Sequence, residues 1–100
     1  MSYTLVFSEI ALADIKKHKK SGDIVVLNKI EKLLNEIMEH PMTGTGQPEQ
    51  LKHNLTGLYS RRINQKHRLV YYVDNEIVTV HVLSAWTHYG DKKQSRKPAR

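Results

Sequence analysis

Cysteine is absent from this chain of 100 residues. That excludes disulfide staples and thiolate metal ligands, and it fits a reducing cytoplasm. Long apolar runs are missing too. They stop after about five residues where a membrane helix needs roughly 20, and the N-terminus lacks the charged-then-apolar order of a signal peptide. The expectation is a soluble, cytoplasmic protein with no membrane partner. There is no internal repeat, Walker loop, HExxH or nucleophilic serine motif. Acidic residues are the minority, 10 against 16 lysines and arginines, for a net charge of +6. Such a balance favours nucleic acid, an acidic protein or an anionic surface as partner. The length allows one domain with a single modest core.

What is present begins with scaffold. Tyr3 to Phe7 reads as a strand. Ser8 can then cap a helix start, and Glu9 suits its dipole. Ile10, Ala11, Leu12, Ala13 and Ile15 are expected to form that helix's apolar side. Lys16, Lys17, Lys19 and Lys20 load its last turn before Ser21-Gly22 ends it. The lysine run is read as a helix C-terminus ahead of an RNA contact. Asp23 caps a second helix, in which Leu27, Ile30, Leu34 and Ile37 recur at three- and four-residue spacings, broadened by Val26, Leu33 and Met38. Pro41 stops it near His40. His18 and His40, near the two helix ends, are expected to partner the C-terminal dipoles rather than to be ligands.

The segment from Gly44 to Val73, GTGQPEQLKHNLTGLYSRRINQKHRLVYYV, organises the rest. Its glycines and Pro48 predict a loop, which carries Glu49. Leu51 to Leu55 reads as a turn or short helix presenting Lys52, His53 and Asn54. Leu58 to Ile63 and Arg68 to Val73 predict paired strands, with Asn64 to His67 as the hairpin break. Alternation sets Arg68, Val70 and Tyr72 against Leu69, Tyr71 and Val73, and sends Arg61 and Arg62 to opposite faces. After a turn at Asp74-Asn75, Ile77 to Leu83 is a final strand whose Val78, Val80 and Val82 face is expected beneath the helices. The fold class is α+β: two N-terminal helices packed on a small antiparallel β-sheet, in β-α-α-β-β-β order. One domain spans residues 1–89. The segment from Gly90 to Arg100 sets five cations against Asp91 and is expected to be a disordered basic tail, either an RNA-binding arm or passive.

Arginines on a sheet form a rigid charged platform, and guanidinium forks suit phosphate oxygens. Any one of them alone could simply keep an edge soluble; three beside Lys52, His53 and His67 make phosphate the first partner to consider. His88 and Tyr89, which follow the last strand, can move protons or stack on bases. A carboxylate, an arginine platform, a histidine and a tyrosine, without a metal-binding pair of acids, suit metal-free RNA cleavage. The ribose 2′-hydroxyl is the nucleophile, so the protein needs a base, cations for the crowded phosphorane and an acid for the departing oxygen.

The pattern GxGxPExLKxNLxGxxSRRI, followed by HRLVY and a terminal HY, resembles the YoeB/Txe branch of the RelE-type toxins of bacterial toxin–antitoxin systems. The match is dense over residues 44 to 73 and returns at His88-Tyr89. The resemblance implies messenger RNA cleavage in the ribosomal A site, without a cofactor or metal. It also implies silencing by a cognate YefM/Axe-like antitoxin, a possible homodimer, and operator binding only as the toxin–antitoxin complex. Carried over by residue, Glu49 is the general base, Arg68 the transition-state cation, His88 the general acid and Tyr89 the residue that orients or stacks on substrate. Lys52 is a phosphate contact, and Arg61 and Arg62 are RNA-binding or structural. Thr45 and Gln47 replace lysines frequent in relatives, and the tail beyond Tyr89 is an addition. The alternatives are a ParE-like gyrase inhibitor and a non-catalytic RNA- or operator-binding module, since fold alone does not fix activity.

Overall fold

Strand β1 (Thr4–Phe7) passes into helix α1 (Glu9–Ser21) through Ser8. The Ser8 Oγ accepts from the Ala11 N–H at 2.9 Å and donates to the Leu83 carbonyl at 2.8 Å. One hydroxyl thus caps a helix and ties its start to the far end of the chain. Gly22, at φ +76°, closes α1 in the left-handed conformation and returns its N–H to the Lys19 carbonyl. Asp23 then caps α2 (Ile24–Glu39) by accepting from the Val26 N–H. The helix ends one residue before His40, where Pro41 requires it. The computed structural model describes residues 2–46, 48–50 and 57–86. No helix among them is long and apolar enough to cross a membrane.

Four further strands follow: β2 (Glu49–Gln50), β3 (Leu58–Arg62), β4 (Arg68–Asp74) and β5 (Thr79–Ser84), in the sheet order β1-β5-β4-β3-β2. The α+β class holds, with two differences from expectation. Glu49 lies on a short edge strand that pairs with Tyr59 and Ser60, where the sequence predicts loop. The sheet is mixed, because β1 lies parallel to β5. A parallel neighbour cannot be reached by a hairpin, and here everything between β1 and β5 serves as the connection.

The β3–β4 hairpin turns where predicted. Asn64 Oδ1 accepts from the N–H groups of Lys66 and His67, and the Ile63 N–H returns to the His67 carbonyl. Asp74 Oδ1 does the same for Glu76 and Ile77. Val78 takes φ +50°, so β5 begins at Thr79 rather than Ile77. Val78 therefore leaves the strand, while Val80 and Val82 are fully buried.

Helix α2 presents Val26, Ile30, Leu33 and Ile37 to Leu69, Tyr71 and Val73 of β4 and to the two valines of β5. Helix α1 departs from expectation. Ile10 and Leu12 are 64% and 55% exposed, and the buried row is Ala11, Asp14 and His18. The inward face is selected by hydrogen-bonding partners as well as by hydrophobicity: both polar side chains end on Ala85. His18 is therefore a buried structural group and not a solvent-side dipole partner.

Candidate functional site

Strand β3 is the ruler on which the site is laid out. Its Ser60 pairs with Glu49 on one side and with Val70 on the other, and Arg62 pairs with Arg68. Side chains of paired residues share a face, so Glu49, Ser60 and Arg68 converge. The Arg68 Nε donates to Ser60 Oγ at 3.0 Å, and its Nη2 lies 3.5 Å from Glu49 Oε1. The arginine side chain is 8% exposed and the carboxylate 66%. Burial lowers the Arg68 pKa from its ordinary value, with Glu49 opposing and Arg62 adding to the shift. An arginine remains charged at pH 7 regardless. The pair thus consists of an enclosed, oriented cation and an accessible acid.

The loop before Glu49 is fastened from below by Arg61. This guanidinium is fully buried. Its Nε donates to the Tyr71 hydroxyl at 3.0 Å, and Nη2 donates to the carbonyls of His40 and Thr43. Its Nη1 reaches the Thr45 carbonyl at 3.2 Å and Glu36 Oε1 at 3.3 Å. Glu36 in turn accepts from the Thr45 N–H and hydroxyl, and the Tyr71 hydroxyl donates to the Pro41 carbonyl. Carbonyls turned inward from a loop need partners, and the buried Arg61 guanidinium supplies donors to three of them here. Gly46, at φ +88°, lets the chain approach closely enough for its carbonyl to accept from the Arg62 N–H at 2.7 Å.

Of the residues singled out by sequence, Glu49 and Arg68 come together and Arg62 is exposed beside them. Arg61 is corrected: with no exposed surface it cannot reach RNA, and of its two predicted roles the structural one applies. Arg61 and Arg62 do face opposite ways, as alternation requires. Lys52, His53, His88 and Tyr89, and the tail from Gly90, lie outside the described residues. Sequence reasoning missed Ser60, which orients Arg68, and the Glu36–Arg61–Tyr71 anchor. The motif letters SRR contained the serine, but only the strand register reveals its partner.

Comparison with known proteins places the chain in a family and a fold. Residues 7–89 match the family model for the YoeB-like toxin of bacterial type II toxin-antitoxin systems. The chain belongs to the YoeB toxin family. Toxin YoeB of Escherichia coli K12 is 38% identical over 76 residues, covering 76% of this chain and 89% of that protein. The YoeB dimer from Staphylococcus aureus superposes with a TM-score of 0.75 at 41% identity, covering 89% of this chain and all of that one. The YoeB–YefM complex from the same organism gives 0.72 at 40% identity, with coverage of 89% and 100%. This YoeB-family chain is accordingly a type II toxin–antitoxin toxin.

Proposed function

We propose that this YoeB-family toxin is a ribosome-dependent endoribonuclease that cuts messenger RNA in the A site. The contact that supports the reading best is Arg68 to Glu49 at 3.5 Å. In the proposed step Glu49 takes the proton of a ribose 2′-hydroxyl, and that oxygen attacks the adjacent phosphorus. The P–O5′ bond breaks as the 2′,3′-cyclic phosphate forms, and His88 supplies the proton that leaves with the 5′-oxygen. Arg68, fixed by Ser60, stabilises the phosphorane charge as it develops. Tyr89 orients or stacks on the substrate, and Lys52 and Arg62 bind the RNA backbone. The scheme uses no metal or cofactor.

The ribosome's role is to hold the message with its 2′-hydroxyl aligned, an entropic contribution of up to about 7–11 kcal/mol in well-oriented systems. The staphylococcal YoeB–YefM complex supports a YefM-like antitoxin as partner, and the staphylococcal YoeB dimer supports a homodimer. The net charge of +6 suits both RNA and an acidic inhibitor, in the cytoplasm where translation occurs. The test is to map 5′ ends of message in a translating extract with wild type and Glu49→Gln. Codon-phased ends are expected with wild type only. Naked RNA cut as fast as ribosome-bound message, or stalled and cleaved DNA in place of cut message, would overturn the proposal.

A further inference from the structure

Asp14 and His18 stand four residues apart on α1, so their side chains leave one helix face a turn apart. Both are buried, at 6% and 2% exposure. Asp14 Oδ2 accepts from the Ala85 N–H at 2.9 Å, and His18 Nε2 donates to the Ala85 carbonyl at 2.8 Å. A carbonyl only accepts, so the proton sits on Nε2 of His18. Strand β5 ends at Ser84, and the buried residue just past it is held at both its N–H and its C=O by one helix.

A second set of contacts meets the first. The His18 ring lies 4.8 Å from His67 and 4.7 Å from Trp86, and His67 lies 4.4 Å from Trp86. The Lys17 ammonium sits 4.8 Å above the Trp86 ring. His67 immediately precedes Arg68, and Trp86 precedes His88 by two residues. One ring cluster therefore joins the chain entering the arginine strand to the chain leaving the last strand.

We propose that Asp14 and His18 are positioning residues of the cleavage site. They fix where the chain leaves β5, at Ala85 and Trp86, and through the ring contact with His67 they fix the start of the strand that carries Arg68. The proposal rests on the nuclease reading above. Arg68 stabilises a phosphorane only when it is correctly placed, and misplacement by an ångström can cost about 10²-fold in rate. Loss of the clamp should therefore appear in turnover and not in affinity.

The experiment is single-turnover cleavage on programmed ribosomes, with ribosome affinity measured in parallel. Asp14→Leu and His18→Leu remove the two hydrogen bonds and should slow cleavage by about 10²-fold with affinity unchanged. Asp14→Asn and His18→Gln keep an acceptor and a donor and should recover most of the rate. Trp86→Leu breaks the ring contact while leaving Ala85 paired, so it serves if the other two leucine variants do not fold, and it should show the same turnover loss. Normal turnover in folded Asp14→Leu, His18→Leu or Trp86→Leu would overturn the positioning role alone, as would an asparagine or glutamine variant no better than its leucine counterpart. A wild type that cuts no faster than Glu49→Gln would instead overturn the nuclease reading, and this role with it.

Discussion

Arg68 and Glu49 meet at 3.5 Å although they lie on strands separated by β3, the guanidinium almost enclosed and the carboxylate open. The enclosed partner is oriented by Ser60, so the acid has a fixed counter-charge yet remains free to meet a ligand. Such an arrangement is expected to separate activity from stability. Glu49 stays solvated, and at 3.5 Å a pair open to water on its carboxylate side contributes little, about 1 kcal/mol, whereas a general base contributes about 10²–10⁴-fold in rate. Glu49→Gln should therefore melt near the wild-type temperature while single-turnover cleavage falls by that factor. A near-normal rate would remove Glu49 from the role of base.

The adjacent arginines should behave in opposite ways. Arg61 spreads its donors over Tyr71, Glu36 and three loop carbonyls. Its removal leaves Glu36 and those carbonyls without their buried partner, and Arg61→Ala should cost about 3–5 kcal/mol. Arg61→Lys should not rescue it, because an ammonium cannot span acceptors arranged around a planar fork. Arg62 is exposed, and Arg62→Ala should stay within about 0.5 kcal/mol of wild type. It should instead weaken RNA binding and reduce the salt slope by about 1. Urea unfolding and salt-dependent binding distinguish the two.

Much of this was legible in the sequence, and the parts that were not share a cause. Helix caps at Ser8 and Asp23, the stop at Pro41 and the Asn64 turn are local signals and appear where predicted. The apolar stripe of α2 is also local, although its buried line runs through Val26 and Leu33 with Ile30 and Ile37, leaving Leu27 and Leu34 half-buried. Arg61 was ambiguous because its role is decided by carbonyls of His40, Thr43 and Thr45, some 16 to 21 residues away. The inward face of α1 is not legible locally, because Asp14 and His18 look like surface residues until Ala85, 71 and 67 residues on, arrives to pair them. Motif resemblance marks Glu49 and Arg68, but their contact depends on strand register, which no short spacing encodes.

Acid should expose the Glu36 anchor. The Thr45 N–H, then the Thr45 hydroxyl, hold this carboxyl below the usual carboxylate range; Arg61 and Lys32 add to the shift and burial opposes it. The folded pKa is the lower one, so the unfolded chain binds more protons in between. The stabilisation is present above the ordinary carboxylate range and is lost as pH falls through the folded value. Urea midpoints measured down that range should fall more steeply for wild type than for Glu36→Gln. His67 follows the same sign in a higher window. Burial, then His18 and Lys66, hold its imidazole below 6.5, so stability should decline as pH drops beneath that value, and less so in His67→Gln.

Two glycines with similar positive φ should respond differently to the same methyl group. Gly22 has φ +76° and nothing within 4 Å of an added Cβ. Gly22→Ala should cost only the left-handed strain, about 1–2 kcal/mol, and leave cleavage intact. Gly46 has φ +88°, and its Cβ would fall 3.1 Å from both the Arg62 carbonyl and Leu33 Cδ2, and 3.2 Å from Arg61 Cβ. The carbonyl belongs to β3, so it cannot yield as a side-chain tip would; the loop must move, and Glu49 lies three residues further on. Gly46→Ala should therefore lose more stability than Gly22→Ala and also lower the cleavage rate per folded molecule. Denaturant midpoints, paired with rates normalised to the folded fraction, provide the check. Equal losses in the two variants would show that the close approach at Gly46 does not hold the Glu49 loop in place.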